Sequence, residues 1–268
     1  MMMLRTRGLT KQFGGLTAVD GVDIDLAADE CCSLIGPNGA GKTTFFDLLT
    51  GKLTPTAGTV ELWGEDDWID ITHTPPHRTA EVGLHRSYQI TNLFNKNTVR
   101  ENVRIAAQAA GDDAMNCWHN TGAFEEYITE AEAILDRVGL AEDADESAGS
   151  LSHGAKRQLE IAVALAGDPD VLLLDEPNAG VSSESVEDIV ALIEDVATDH
   201  AVLLVEHNMD IVMTVSDRIV VLNQGAVIAD DEPAAVRSDE TVQQAYLGGY
   251  ERGDVDDDRT GETAGGRA

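Results

Sequence analysis

The chain has 268 residues, 43% of them hydrophobic and 25% charged, which is enough apolar material for one large α/β domain and excludes a disordered chain. Its 49 acidic and 18 basic side chains give a formal net charge of -31, which would repel a phosphate backbone, so no nucleic-acid partner is expected. No apolar run approaches the roughly 20 residues that span a bilayer, and the amino terminus lacks a signal-peptide core, which predicts a cytoplasmic protein.

The number and distribution of the acidic residues indicate the ionic conditions in which the protein works. Lysine is scarce, and carboxylates are spread along the whole chain rather than collected in one tail. Such carboxylates repel one another at low ionic strength, and this repulsion is relieved at 1 M salt, where the Debye length is about 3 Å. The composition therefore predicts a halophilic source, with an acidic mesophilic protein as the alternative.

The first third of the chain is rich in strands. Apolar or alternating runs separated by glycine and aspartate turns predict strands at Leu4–Leu9, Val22–Leu26, Cys31–Ile35 and Thr59–Leu62. Cys31 and Cys32 follow no metal-ligand spacing together with Cys117, so all three cysteines are interpreted as reduced thiols.

The remainder of the chain is helical at first and then alternates between strands and helices. Apolar residues at helical spacing between Asn97 and Leu140 indicate a helical insertion, divided by a polar stretch around Gly111–Gly122. Nearly continuous apolar runs, separated by helical stretches, are typical of parallel strands covered on both faces. These runs are Val171–Leu174, Ala201–Val205 and Ile219–Leu222. Residues 251–268 are acidic and glycine-rich, which predicts a disordered tail.

A phosphate-binding loop follows the third predicted strand. The residues are Gly36, Pro37, Asn38, Gly39, Ala40, Gly41, Lys42 and Thr43, and a helical run that begins at Thr44 follows them. This spacing fits the P-loop, in which glycines let backbone N–H groups face phosphate oxygens at the positive end of a helix. Lys42 is expected to reach the β- and γ-phosphates of ATP, Thr43 to ligate Mg²⁺, and Thr44 to complete the nucleotide site.

Two further strands end in residues suited to catalysis. The strand Val171–Leu174 runs into Asp175 and Glu176, and the carboxyl ends of parallel strands are where ligands bind in open α/β sheets. We expect Asp175 to hold Mg²⁺ and Glu176 to accept a proton from the attacking water. The next strand delivers His207 to the same rim.

The segment Leu151–Gln158, with sequence LSHGAKRQ, opens an amphipathic helix before the Asp175 strand. The Ser152 side chain and the Gly154 N–H lie at the start of this helix and form a site for an anion. This site contains no P-loop. The segment resembles the signature sequence of ABC-transporter ATPases, and the order of P-loop, Gln89, signature, Asp175-Glu176 and His207 agrees with that family over about residues 3–250.

The resemblance implies a fold and a set of contacts. The fold would be a P-loop NTPase of the RecA-like type, with a doubly wound core, an antiparallel β subdomain and an α-helical insertion at about 95–165. Two such subunits would sandwich two ATP molecules, each P-loop facing the partner's Ser152–Gly154 segment. Phe13 matches the aromatic residue that stacks on adenine, although the residue pattern alone favours a core position for it. Gln89 matches the residue that senses Mg²⁺ and γ-phosphate.

The chain departs from the common family pattern at three positions. His153 and Ala155 replace glycine and glutamine in the signature, and Ser182 stands where an aspartate is usual. These three departures affect the contacts that the chain would make to a partner subunit. Ser152 and Gly154, which would contact phosphate, are unchanged.

Several runs resemble the ATPases of branched-chain amino-acid importers. They are the segment after Phe13, the Pro75–Arg78 stretch, Glu101–Val103 and the end of the chain from Val236 to Gly248. The resemblance implies a second ATP-binding subunit, in a hetero- or homodimer, together with two membrane permeases, an indirect extracytoplasmic solute-binding protein and a location at the cytoplasmic face of the membrane. Urea or amide importers, lipid exporters and, further away, a soluble ABC protein or a P-loop kinase remain alternatives.

Overall fold

The computed structural model describes residues 1–64, 66–87, 93–111, 121–181 and 185–247. Its strands are β1 (Met2–Phe13), β2 (Leu16–Ala27), β3 (Cys31–Ile35), β4 (Ala57–Trp63), β5 (Trp68–Asp70), β6 (Leu84–Ser87), β7 (Val171–Asp175), β8 (Ala201–Val205), β9 (Arg218–Asn223) and β10 (Ala226–Asp231). Its helices are α1 (Lys42–Leu49), α2 (Pro76–Glu81), α3 (Val99–Ala110), α4 (Thr121–Arg137), α5 (His153–Leu165), α6 (Val186–Val196), α7 (Met209–Val215), α8 (Pro233–Ser238) and α9 (Glu240–Leu247).

The strands form two sheets. One is antiparallel, with the order β2-β1-β4-β5, and the other has six strands in the order β10-β9-β3-β8-β7-β6. In the second sheet, β9, β3, β8, β7 and β6 run parallel, and only the edge strand β10 is antiparallel. This is the predicted α/β architecture, with a doubly wound core and an antiparallel β subdomain.

The parallel sheet separates two hydrophobic cores, which explains why its strands are apolar throughout. Leu172 and Leu174 of β7 pack with α5 and α6 on one face, whereas Val171 and Leu173 pack with α1 and the antiparallel sheet on the other. Successive side chains of a strand point to opposite faces, so both faces must be apolar when both are covered.

The cysteines of β3 follow the same alternation. Cys31 belongs to the core on the helical face and Cys32 to the core on the opposite face, and both are free thiols. Burial raises the pKa of Cys31 to about 12 and also raises that of Cys32. Because only the thiolate is reactive, these two side chains act as small apolar core residues. Cys117 lies outside the described residues.

Most predicted strands coincide with observed ones, but three short strands were missed. The strands β5, β6 and β10 lie at sheet edges and show no apolar alternation. Helix α4 begins at Thr121, inside the polar stretch around Gly111–Gly122 that was predicted to divide the helical insertion. Of the helices in the described part of the chain, none has the length and apolar character that crossing a membrane requires.

Candidate active site

The P-loop backbone is shaped by glycines that no larger residue could replace. Gly36 has φ 153° and Gly41 has φ 109°. A Cβ added to Gly36 would lie 2.1 Å from the carbonyl oxygen of Leu222, and one added to Gly41 would lie 2.3 Å from that of Ala18. Strands β9 and β2 therefore press directly against the loop, and only glycine allows this approach.

The turn between β9 and β10 holds the loop from the side. The Gly225 N–H donates to the Ala40 carbonyl at 2.9 Å, and the Asp20 N–H donates to the Gly225 carbonyl at 2.9 Å. These bonds connect the P-loop to β2 through the turn. The cradle for phosphate is thus a rigid part of the sheet rather than a free loop.

Lys42 begins α1 and lies folded over the P-loop. Its Nζ donates to the carbonyl oxygens of Gly36 at 2.6 Å and Pro37 at 3.2 Å. Burial lowers the pKa of Lys42, while the negative charges of Glu176 and Asp175 act to raise it. An ammonium between the loop and two carboxylates is positioned to meet the terminal phosphates of a nucleotide.

Glu176 and His207 meet at the rim of the sheet. Strand β7 ends at Asp175, and the Glu176 N–H donates to the Val205 carbonyl at 2.8 Å, which fixes the turn beside the end of β8. The Nε2 of His207 lies 2.7 Å from the Oε1 of Glu176. A carboxylate held by an imidazole at the carboxyl ends of parallel strands has the chemistry and the position that a general base requires.

Asp175 is held by an arginine that the sequence patterns did not reveal. Arg86 on β6 is 4% exposed, and its Nη2 donates to the Oδ2 of Asp175 at 2.5 Å while its Nη1 donates to the Oδ1 of Asp47 at 2.7 Å. Burial lowers the pKa of Arg86, but the hydrogen bonds that Arg86 donates to Asp175 and Asp47 and the negative charges of these two carboxylates outweigh burial and leave the pKa raised. Arg86 thus ties the end of β7 to the P-loop helix.

We expect Arg86→Gln to lower the free energy of unfolding by about 3–5 kcal/mol, because it leaves the buried Asp175 carboxylate without its cation and removes one of the two cations beside the partly buried Asp47. Urea titration followed by circular dichroism measures this. Arg78→Gln is the matched control: its pair with Glu81 is exposed, so its loss should cost about 1 kcal/mol or less. Adding Asp47→Asn to Arg86→Gln should recover part of the stability. Equal, small effects of both arginine changes would contradict a structural role for the buried pair.

Glu206 is a second residue that the sequence patterns did not assign. This buried carboxylate accepts hydrogen bonds from the backbone N–H groups of Asn178 at 3.0 Å, His207 at 2.8 Å and Asn208 at 3.1 Å. It therefore fixes the segment that carries His207 against the segment after Glu176. Its only signal in the sequence is its place directly after a buried strand.

The signature segment forms the start of α5. Ser152 is the N-cap, its Oγ accepting a hydrogen bond from the Ala155 N–H at 3.2 Å, and its side chain is exposed. A Cβ on Gly154 would come within 3.0 Å of Ser185, so the helix start packs closely there. Ser152 and His153 are exposed here, whereas Gly154 is buried. The first N–H groups of a helix have no intrahelical acceptor, which suits this helix start to an anion.

Phe13 lies at the end of β1 and is 46% exposed, which makes the core position favoured by the residue pattern wrong. Its ring faces the Nζ of Lys11 at 5.1 Å. The hairpin that carries it continues into Ala18, the residue that faces Gly41 of the P-loop. Gln89 and Ser182 lie outside the described residues.

The oxygen donors present fit Mg²⁺. Thr43 is exposed at the start of α1, and Asp175 has one carboxylate oxygen on Arg86, which leaves Oδ1 for another ligand. A hydroxyl and a carboxylate, completed by phosphate oxygens and water, are the hard ligands that Mg²⁺ uses. In the described part of the chain, no group of three or more His, Cys, Asp or Glu side chains has the arrangement of a metal site.

A P-loop, an aspartate-glutamate pair and a histidine on adjacent parallel strands define an ATPase of the P-loop class. The sequence profile of the ABC transporter family matches residues 19–179, and that of the branched-chain amino acid ATP-binding cassette transporter matches residues 226–252.

Individual ATP-binding proteins of this family are also similar to the chain. The chain is 42% identical to the high-affinity branched-chain amino acid transport ATP-binding protein BraF of Pseudomonas aeruginosa and 39% identical to LivG of Escherichia coli, in each case over 92% of this chain and 98% of the relative. A crystal structure of the ADP conformation of an ATP-binding cassette from an ABC transporter superposes with a TM-score of 0.80 at 32% identity, covering 92% of this chain and 99% of that one. The chain belongs to the ABC transporter family, as an ATP-binding subunit.

Proposed function

We propose that this ATPase powers the uptake of branched-chain amino acids through an ABC importer. The match of residues 226–252 to the cassette of branched-chain amino acid transporters carries the proposal, because this segment lies outside the nucleotide site. The segment comprises β10 and the helices α8 and α9 in its described part, and Val236 and Val242 pack it against β9 and α7.

Hydrolysis follows from the roles we assign to the site. The P-loop N–H groups, Lys42 and Thr44 bind the phosphates, and Phe13 stacks on the adenine. Water attacks the γ-phosphorus, the bond to ADP breaks, and Glu176 accepts the water proton while His207 orients its carboxylate. Because phosphoryl transfer needs mainly positioning and charge stabilisation, the rigid P-loop is the largest contributor.

The residues Thr43, Asp175 and Gln89 would hold Mg²⁺. The ion would supply positive charge that neutralises the phosphate oxygens. Arg86 orients the Asp175 carboxylate toward that task by occupying its second oxygen.

The complete transporter would contain further subunits. We infer a second ATP-binding subunit whose Ser152–Gly154 counterpart closes on this P-loop, two membrane permeases and, indirectly, an extracytoplasmic solute-binding protein. The chain would work at the cytoplasmic face of the membrane as one ATPase domain, residues 3–250, with a helical subdomain at about 95–165. Residues 251–268, for which the composition predicts a tail, lie outside the described residues.

Uptake assays test which solute is transported. A deletion strain of the source organism should lose most of its uptake of labelled leucine, isoleucine and valine, and a plasmid copy should restore it, whereas a Glu176→Gln copy should not. Unchanged leucine uptake together with lost urea or amide uptake, or with a defect in lipid export, would assign the ATPase to one of those systems and overturn the proposal. Two permease genes beside this one would support it.

We further propose that the protein is adapted to a salt-rich cytoplasm. Asp168 illustrates the repulsion: burial raises the pKa of both Asp170 and Glu130, and the negative charge of Asp168 raises it further. With a net charge of -31, many such pairs oppose the folded state at low ionic strength.

We expect the melting temperature to rise by at least about 10 °C between about 0.1 M and 2 M KCl, because screening removes this repulsion. Differential scanning fluorimetry measures it, and a series in sucrose separates screening from a general effect of cosolvents. Asp168→Asn, which suits the positive φ of 46° at this position, should stabilise the protein more at low than at high salt. A melting temperature independent of KCl would contradict the adaptation.

A further inference from the structure

Arg157 lies in the interior, one turn into the signature helix α5. Its side chain is 7% exposed. Its Nη2 donates to the carbonyl oxygens of Asp175 and, at 2.7 Å, Glu176, its Nε donates to that of Pro177 at 3.1 Å, and its Nη1 pairs with Glu160. One guanidinium thus donates hydrogen bonds to three consecutive carbonyl groups of the turn that carries Glu176.

That turn has an unfavourable backbone conformation. Glu176 has φ 49°, in the left-handed region that residues with a side chain rarely adopt. Such a conformation persists only where the surroundings determine it. On one side the turn is held by the bond from the Glu176 N–H to Val205 and by Glu206, which accepts from the Asn178 N–H. On the other side it is held by Arg157.

The same helix connects this turn to the signature segment. Ser152 caps α5, and Gly154 precedes Arg157 by three residues, which places the two on the same helical face. A shift of the helix start therefore moves the guanidinium that fixes Glu176. In the proposed function, Ser152 and Gly154 contact the nucleotide held by the second subunit, while Glu176 acts on the nucleotide held by its own P-loop.

We propose that Arg157 is the positioning residue of Glu176: it fixes the left-handed turn and ties the alignment of the general base to the position of the signature helix. The inference rests on the proposed function, because the signature segment has a nucleotide to contact only in a dimer. Through Arg157, closure on one nucleotide sets the geometry of hydrolysis at the other.

Arg157→Lys is the direct test. Lysine keeps a positive charge beside Glu160 but cannot reach three carbonyl groups with a rigid fork of donors. We expect kcat for ATP to fall about 10- to 100-fold, as for a small misplacement of a catalytic group, with the KM for ATP changed less than about 2-fold. Because hydrolysis is slow, the variant should also accumulate an ATP-bound dimer in size-exclusion chromatography with light scattering.

A second variant covers the case in which lysine disrupts the fold. Arg157→Met combined with Glu160→Met removes both buried charges and should show the same pattern, provided its melting curve remains cooperative. Arg137→Gln is the matched control: this arginine at the end of α4 pairs with Asp195 of α6 and with Asp199 just beyond that helix, and its loss should leave kcat unchanged.

The outcomes separate the two hypotheses. If Glu176→Gln forms an ATP-bound dimer and Arg157→Lys retains wild-type kcat, the positioning role is wrong and the proposed function stands. Loss of dimer formation by a well-folded Arg157→Lys would show that the residue supports the signature segment instead of Glu176, which also overturns the inference. If Glu176→Gln forms no ATP-bound dimer, either with itself or with the second ATP-binding subunit, the proposed function is what fails.

Discussion

Replacing Glu176 by glutamine is expected to slow ATP hydrolysis at least about 100-fold while leaving ATP binding intact, because it removes a proton acceptor without changing the size of the side chain. Glutamine can still bond to the Nε2 of His207, which now lies 2.7 Å from the carboxylate. The turn should keep its shape, since Arg157 bonds to backbone carbonyls rather than to the Glu176 side chain. Phosphate release measures the rate, and calorimetric titration measures ATP affinity.

A slow variant should also reveal the assembly. With ATP bound and not hydrolysed, Glu176→Gln should run as a dimer in light scattering, and the specific activity of the wild-type protein should rise with its concentration. The control is Glu187→Gln, an exposed carboxylate in the first turn of α6, which should hydrolyse ATP at the wild-type rate. Full turnover by Glu176→Gln would remove Glu176 from the role of general base.

Replacing Lys42 by alanine is expected to weaken ATP binding about 100-fold, which corresponds to about 2.7 kcal/mol. The ammonium lies 2.6 Å from the Gly36 carbonyl and near the charges of Glu176 and Asp175, so it is the cation best placed to bind the terminal phosphates. Bonds to an ionised group of this kind contribute about 1.5–3 kcal/mol each. Calorimetric titration with ATP in the presence of Mg²⁺ measures the affinity.

Lys52→Ala provides the comparison for this loss. Lys52 lies just beyond the end of the same helix, is largely exposed and pairs with Asp47 at 3.3 Å. Its removal should change ATP affinity less than about 3-fold, because an exposed ion pair contributes little. Melting curves of both variants establish that they are folded. Undiminished ATP affinity in Lys42→Ala would contradict the assignment of the P-loop.

The parts of the fold that could be predicted are those whose signal is local. The strands β3 and β8 were predicted at their observed bounds because each is a short apolar run between polar turns: β8 has five consecutive apolar residues, and β3 has four with one small serine, Ser33. Strand β6 was missed because its sequence, LHRS, carries a charge and a histidine. These polar residues are accommodated only by tertiary partners: Arg86 bonds to Asp47 and Asp175, and His85 lies between two backbone carbonyls.

Phe13 shows a second reason why the residue pattern alone does not predict the site. An aromatic residue at the end of a strand is usually buried, and the residue pattern alone favoured the core. The family resemblance instead implied a ring available to a nucleotide, and its exposure agrees with that expectation. The apolar character of a side chain predicts that it is removed from water. It does not tell whether the side chain packs in the protein core or against a bound ligand.

By itself, the sequence determined the chemistry of the nucleotide site: a phosphate cradle is built from consecutive backbone N–H groups, so Gly36–Thr43 can be recognised without knowledge of the rest of the fold. Only the tertiary structure decided how the catalytic groups are held. Arg86, Arg157 and Glu206 are buried charges, and burial of a charge requires partners. A sequence shows that such a residue exists, but its partners come from elements far apart in the chain, and folding alone brings them within hydrogen-bonding distance.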